Sequence, residues 1–353
     1  MSSIEKIDQT FAVQTNLHID GIRFYDIQDA PFTICGLIYE NGLYRRMPEH
    51  IAKTVSPRVY DLHVHTAGGR VKFVTNSSFV AIKAEMPAVT KMAHFPLSGS
   101  GGFDLYVGKK EQFYGSFVPR YTMQDGYESV IRFETRKKRE ITINFPLYSS
   151  VSSLYIGLEG NAVVEPSAGY KNIKPMVFYG SSITQGACAS RPGNSYTNTV
   201  SRTLGIDYIN LGFSGNARGE QSMADYIASL DMSVFIYDYD YNAPDPEHLQ
   251  NTHQKMFQTV RNAHPELPII ILSRPKYKPN AEEKQRLEII KKTYSDAIAA
   301  GDKNVYFIDG KTLMKYAKDN GTLEGCHPND LGFYSMAKVL LRQLKPLFKE
   351  DNK

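Results

Sequence analysis

Hydrophobic and polar positions keep two different rhythms along the chain. Up to about residue 165, apolar and polar residues alternate in short runs rich in β-branched and aromatic side chains: RVKFVTN, FVAIKAEM, GFDLYVG, SVIRFET and EITINFPLY. A period of two puts alternate side chains on opposite faces, so these runs predict antiparallel strands, and the Gly, Ser, Asn and Pro between them predict the turns of a β-sandwich. From KPMVFYG onward, five continuous apolar runs (MVFYG, DYINLGF, SVFIYDYD, PIIILSR and NVYFID) alternate with helical stretches such as DPEHLQNTHQKMFQTVRNAH and AEEKQRLEIIKKTYSDAIAAG. That alternation predicts βαβ units, right-handed crossovers and a three-layer α/β architecture on a five-stranded parallel sheet. Both rhythms lapse at VVEPSAGYKNIKP, residues 163–175. The expected division is therefore a sandwich over 1–168 and an α/β domain over 169–353.

The length of 353 residues agrees with two cores rather than one. A net charge of +4 without dense basic patches argues against a nucleic-acid partner, and no apolar run approaches the length of a membrane span. The start, MSSIEKIDQTFAV, lacks the charged and apolar segments of a secretion signal, which gives the expectation of a cytoplasmic protein, or of a secreted or periplasmic one if a signal has been removed. Three cysteines, Cys35, Cys188 and Cys326, have neither the number of a disulfide framework nor zinc-site spacing, so no structural metal or cofactor is expected.

In open parallel sheets ligands gather beyond the carboxyl ends of the strands. Those ends are polar here. The first run leads into Gly180-Ser181-Ser182, the second into Gly212-Phe213-Ser214-Gly215-Asn216, the third into Asp238-Tyr239-Asp240-Tyr241-Asn242; beyond the fifth comes LEGCHPND with Glu324, His327 and Asp330. A serine hydroxyl needs a base to take its proton, and an imidazole base benefits from a carboxylate that fixes its tautomer. Ser182, His327 and Glu324 supply those three types, while a glycine N–H and the Asn242 amide could hold an oxyanion. Taken singly, each has a structural reading: Ser182 as a helix N-cap, His327 and Asn242 as turn residues. Their shared placement on the ligand side of one sheet favours the catalytic reading. A P-loop ending and a G-x-S-x-G elbow are both missing from the sequence.

These blocks, in this order, resemble the SGNH, or GDSL-type, hydrolases. The resemblance implies a flavodoxin-like catalytic domain, with Ser182 as nucleophile and His327 as base. It also implies Glu324 at the usual aspartate position, and an oxyanion hole of Ser182, Gly215 (rather than Gly212) and Asn242. YGSSITQG, DYDYNAP and GCHPNDLGF are similar to a subgroup whose catalytic domain follows a jelly-roll-like β-sandwich with a Gly-x-Asp-Leu-Tyr signature, here Gly102-Phe103-Asp104-Leu105-Tyr106. It implies an esterase acting on acylated carbohydrates or small acyl esters, or an acyltransferase with the same triad; a catalytically silent ligand-binding protein is the third reading, disfavoured because nucleophile, base and oxyanion donors are all present. The expected partner is a small acyl ester, with acetylated sugars among the candidates; nothing in the sequence specifies an oligomer.

Four further expectations concern single residues. His63 and His65 are expected to share one face of a strand, as packed or exposed side chains rather than metal ligands. Arg70 is expected to pair with a carboxylate, Asp104 being the candidate, and Arg45 and Arg46 to line the seam between halves. Leu272–Pro279 is read as a solvated loop. Cys188 and Cys326 should meet near the triad, as free thiols or as an oxidised pair.

Overall fold

The computed structural model describes residues 13–348. Its first half runs β1 (Ile22–Asp26), β2 (Thr33–Cys35), β3 (Ile38–Glu40), β4 (Leu43–Arg45), α1 (Glu49–Val55), α2 (Pro57–Leu62), β5 (Arg70–Thr75), β6 (Phe79–Glu85), α3 (Leu97–Ser100), β7 (Phe103–Val107), β8 (Gln112–Phe117), β9 (Gly126–Arg132), β10 (Arg139–Asn144), β11 (Ser153–Glu159) and β12 (Val164–Glu165). Two antiparallel sheets face each other, in the orders β1-β11-β6-β9 and β12-β5-β10-β7-β8, with β2 also pairing with β5. Val71, Phe73, Val80, Ile82, Phe103, Leu105, Ile141, Ile143, Leu154 and Ile156 fill the space between them. Each sends alternate residues inward, which is why the alternating runs of the sequence become these strands.

The second half runs β13 (Met176–Gly180), α4 (Ser182–Gln185), α5 (Tyr196–Leu204), β14 (Tyr208–Gly212), α6 (Gln221–Ala228), β15 (Val234–Asp238), α7 (Pro246–Ala263), β16 (Ile269–Leu272), α8 (Ala281–Ala299), β17 (Val305–Ile308), α9 (Gly310–Leu313) and α10 (Asp330–Leu347). All strand pairs are parallel, in the order β14-β13-β15-β16-β17. That flavodoxin-like order has its topological switch point at β13/β15, where a crevice opens beyond the strand ends. In register, Gly180 lies between Gly212 on one side and Asp238 on the other. The strands are buried on both faces: Phe178, Ile236 and Ile270 meet α5 and α10, while Val177, Tyr179, Phe235 and Ile271 meet α6, α7 and α8. Continuous apolar runs, rather than alternating ones, are what such strands require. None of the described helices is long and apolar enough to cross a membrane.

The two halves share core. Met47, Ala52 and Val59 of the helical excursion α1–α2 pack with Leu211, Phe213 and Met223 of the α/β half, and Ala67, Phe95, Leu147 and Tyr148 join the opposite layer. The expected strand through His63 and His65 is replaced by α2 and a turn. Ser56 caps α2 by accepting from the Val59 N–H at 3.1 Å, and Pro57 occupies its first position. That Ser-Pro start favours a helix over a strand. Arg70 also departs from expectation: it pairs with Asp207 and donates to the Gly68 carbonyl, its guanidinium 4.1 Å from the Tyr208 ring centroid. Asp104 is already engaged elsewhere.

Candidate active site

The β13 strand stops at a turn packed too closely for a side chain at Gly180 or at its neighbour Gly212. A Cβ on Gly180 would stand 2.2 Å from Thr184 Oγ1, and one on Gly212 would stand 2.2 Å from the Gln185 nitrogen. Both glycines let α4 sit directly against the sheet edge. Ser181 is the N-cap, its hydroxyl accepting from the Ile183 N–H at 3.2 Å, so Ser182 is left as the first helical residue with its own hydroxyl free for other work. Beneath it, Thr184 and Tyr196 donate to Asp238 Oδ2 at 2.9 and 3.1 Å. Burial pushes the Asp238 carboxyl up to about 7, against the pull of those two donors.

Ser182 Oγ lies 2.9 Å from His327 Nε2. The other ring nitrogen, Nδ1, contacts Glu324 Oε1, and the same carboxylate accepts from the His327 backbone N–H at 3.1–3.2 Å. With Nδ1–H donated to Glu324, Nε2 is the bare nitrogen that can accept from serine. Burial alone would raise the Glu324 carboxyl, but the ring and backbone donors of His327 outweigh it and hold it below its usual range. Glu324 reaches the imidazole despite its extra methylene because the chain turns sharply at Gly325, φ +88°, and Leu323 N–H closes the turn on the His327 carbonyl at 2.9 Å. Asp330 lies further along, accepting from Ser190 N–H at 2.9 Å.

The candidate oxyanion donors come from three strand ends. The N–H of Gly212 is used by Asn210 Oδ1 at 2.9 Å, whereas the N–H groups of Ser182 and Gly215 meet no protein acceptor among the described residues. Gly215 has φ +71°, a left-handed position suited to glycine. Asn242 Oδ1 accepts from Ala217 N–H at 3.2 Å, which ties the loops after β14 and β15 together and turns the NH2 end of the amide away from that bond. Arg274 is part of this support rather than of a solvated loop: it donates its backbone N–H to Asp240 at 3.1 Å, its guanidinium pairs with Asp240 and Glu283, and it lies 4.1 Å from the Tyr241 ring centroid.

The sandwich half reaches the site at three places. Gln185 Nε2 donates to the Leu147 carbonyl at 3.1 Å and faces His65 Nδ1 at 3.0 Å, while its Oε1 accepts from Ser214 N–H at 3.1 Å. Burial pushes His65 down to about 3, helped by the nearby Arg46 charge, so its Nδ1 is an acceptor. Arg46 donates to the Gly212 carbonyl and lies 4.7 Å from the Phe213 ring centroid, which confirms its place at the seam; Arg45 instead faces His63 Nε2 at 2.6 Å. Asp104 accepts from Arg191 at 3.1 Å and from Gly193 N–H at 2.9 Å. The Tyr106 hydroxyl also meets Arg191, and a Cβ on Gly193 would fall 2.0 Å from that oxygen. The Asp and Tyr of the signature thus grip the loop that follows the nucleophile helix.

Cys35, Cys188 and Cys326 are free thiols. One donor atom each from His94, Cys188 and His327 lie within 4.8 Å of one another, as do those of Glu324, Cys326 and His327. Sequence reasoning assigns no role to Gln185 and names Asp238 only among the strand-end residues; His94, beside His327 but outside the catalytic set, it does not mention. Asp238 carries a usable signal, an acid at the end of an otherwise apolar strand; Gln185, in the short polar helix α4, and His94, in an exposed turn of the other half, carry none.

Residues 173–345 match the GDSL-like lipase/acylhydrolase family, and residues 22–164 match the GxDLY family, the N-terminus of SGNH-hydrolase-type esterases. No curated protein matches the sequence. Among solved structures, a protein from Bacteroides ovatus described as a GDSL-like lipase is 29% identical with a TM-score of 0.83, the match spanning 92% of this chain and 98% of that one. A salicylyl-acyltransferase from a tetracycline biosynthetic pathway is 19% identical with a TM-score of 0.76, spanning 94% and 98%. An acetyl xylan esterase from the rumen bacterium Butyrivibrio proteoclasticus is 14% identical with a TM-score of 0.61, spanning 93% and 100%. With both family matches in sequence order and a shared fold along nearly its whole length, this chain belongs to the SGNH, or GDSL-type, esterase family, with an N-terminal GxDLY sandwich.

Proposed function

We propose that the protein is a serine esterase that removes short acyl groups, acetyl first among them, from carbohydrates or other small alcohols. The observation that carries this reading is the 2.9 Å contact of Ser182 Oγ with His327 Nε2, backed by Glu324 on the far nitrogen. Ser182 attacks the ester carbonyl as His327 Nε2 takes its proton, and Glu324 steadies the imidazolium that results. The negative charge on the carbonyl oxygen is met by the Ser182 and Gly215 N–H groups and the Asn242 amide. Collapse expels the alcohol, protonated by His327, and leaves an acyl-Ser182. Water then repeats the sequence, giving its proton to His327 and releasing the acid.

The fold shared with an acetyl xylan esterase supports the choice of substrate class. The fold shared with a salicylyl-acyltransferase supports a second reading, in which an acceptor alcohol replaces water at the acyl-enzyme. A panel of acetylated sugars and longer-chain esters, with product analysis in the presence and absence of acceptor alcohols, separates the two. Release of free acetate, absent in Ser182→Ala, is the expected result; transfer to the acceptor in preference to water establishes the second reading. A serine-directed organophosphate should label Ser182, and labelling elsewhere with activity intact in Ser182→Ala would end the assignment.

A further inference from the structure

We infer that His94, Cys188 and His327 form an inhibitory binding site for a thiophilic divalent cation of the Zn2+ type, whose occupancy withdraws His327 from Ser182. The three donors come from distant parts of the chain. His94 lies in the turn closed by the Met92–Phe95 bridge of the sandwich half, Cys188 follows the nucleophile helix, and His327 sits in the loop before α10. Their donor atoms lie within 4.8 Å of one another, and the His94 and His327 rings are 6.0 Å apart, centroid to centroid.

One sulfur and two imidazole nitrogens are a donor set that Zn2+ favours, with bonds of about 2.3 Å to sulfur and about 2.0–2.1 Å to nitrogen. Tetrahedral donors at those lengths stand roughly 3.5 Å apart, so the exposed His94 side chain has only a short distance to close. Three protein ligands leave a fourth position for water or a carboxylate.

The buried Cys188 thiol has no part in the hydrolytic steps. Binding replaces the thiol proton, which leaves to solvent, by the S–metal bond; both imidazoles bind as neutral ligands. The alternative trio shares His327 but uses Glu324, which is already committed to the imidazole, and Cys326.

The inhibitory consequence rests on the esterase reading; the binding does not. Zn2+ alone is titrated calorimetrically into the metal-stripped full chain, the wild type and Ser182→Ala side by side. One equivalent should bind to both, with affinity falling at least ~10-fold in His94→Ala and in Cys188→Ser and holding in Cys326→Ser. Co2+ in place of Zn2+ should give a sulfur-to-metal charge-transfer band that Cys188→Ser lacks. Where esterase activity is measurable, inhibition should track occupancy and His94→Ala should keep its basal turnover while losing the inhibition. The inference is overturned by no saturable binding to the wild type, by full affinity in both His94→Ala and Cys188→Ser, or by loss of binding in Cys326→Ser alone. Failure of the esterase reading would leave the calorimetric result standing.

Discussion

Asp104 accepts a hydrogen bond from the Arg191 guanidinium at 3.1 Å, joining the centre of the sandwich to the loop behind the nucleophile helix. The acid is fully buried, and Asn144 Nδ2 and Gly193 N–H complete its shell at 2.7 and 2.9 Å. The Gly-x-Asp-Leu-Tyr signature is therefore a clamp between halves. Asp104→Ala should cost about 3 kcal/mol of stability, because it leaves Arg191 and the Asn144 amide facing a buried gap. Thermal or denaturant unfolding checks this, and a loss under about 1 kcal/mol would mean that the clamp contributes little.

Gln185 should matter to turnover more than its distance from the chemistry suggests. It holds the Ser214 N–H, one residue before Gly215, and is itself held by Leu147 and His65 of the sandwich. Gln185→Met keeps the volume and removes those bonds. A donor displaced by about 1 Å can cost up to ~10²-fold, so kcat should fall on the order of 10-fold or more with KM little changed. An unaltered kcat in a folded variant would show that the Gly215 loop positions itself.

For Asn242, the test separates two roles of one amide. Loss of an oxyanion donor lowers turnover by ~10²–10³, equal to about 3 to 4 kcal/mol, whereas loss of the bond to Ala217 N–H costs stability by only about 1 kcal/mol. Asn242→Ala should show the large kinetic effect beside the small thermodynamic one. Comparable kcat in variant and wild type would remove Asn242 from the oxyanion hole.

Asp238 gives the fold a pH dependence. In the folded protein its carboxyl holds a proton up to about 7, but in the unfolded chain it releases it near the ordinary 3.8. Between those values the folded state binds more protons, so the group takes stability away as pH rises through that window. Asp238→Asn still accepts from Thr184 and Tyr196 and carries no charge. Its melting temperature should exceed that of the wild type at pH 8 and approach it at pH 4. Parallel pH profiles for the two proteins would show that Asp238 is not a strained acid.

Much of the chemistry was readable from local pattern. The Ser181 cap is local, but which serine meets a base is not: by itself Ser182 reads as an N-cap, and its contact with His327 sets it apart. The five apolar runs and their spacing are enough for a parallel sheet, because a strand covered on both faces has no polar side. Gly215 over Gly212 is a different matter. Gly212 is the last residue of β14 and Gly215 lies three residues on, and only the hydrogen bond from Gly212 to Asn210 and the close approach of α4 distinguish them. Asp207, as the partner of Arg70, and Arg191, as the partner of Asp104, show the same limit: long-range ion pairs leave no period in a sequence.

The sequence by itself determined the two architectures, their order and the chemical types at the strand ends, since these depend on side-chain periodicity and on residues a few positions apart. Tertiary structure decided the rest. It set which glycine keeps a free N–H, which arginine meets which acid, how α1 and α2 lend core to the parallel-sheet half, and that His94 stands beside His327. Those outcomes depend on which surfaces of a folded chain come within a few ångströms, and side chains more than a hundred positions apart meet only once both halves have packed.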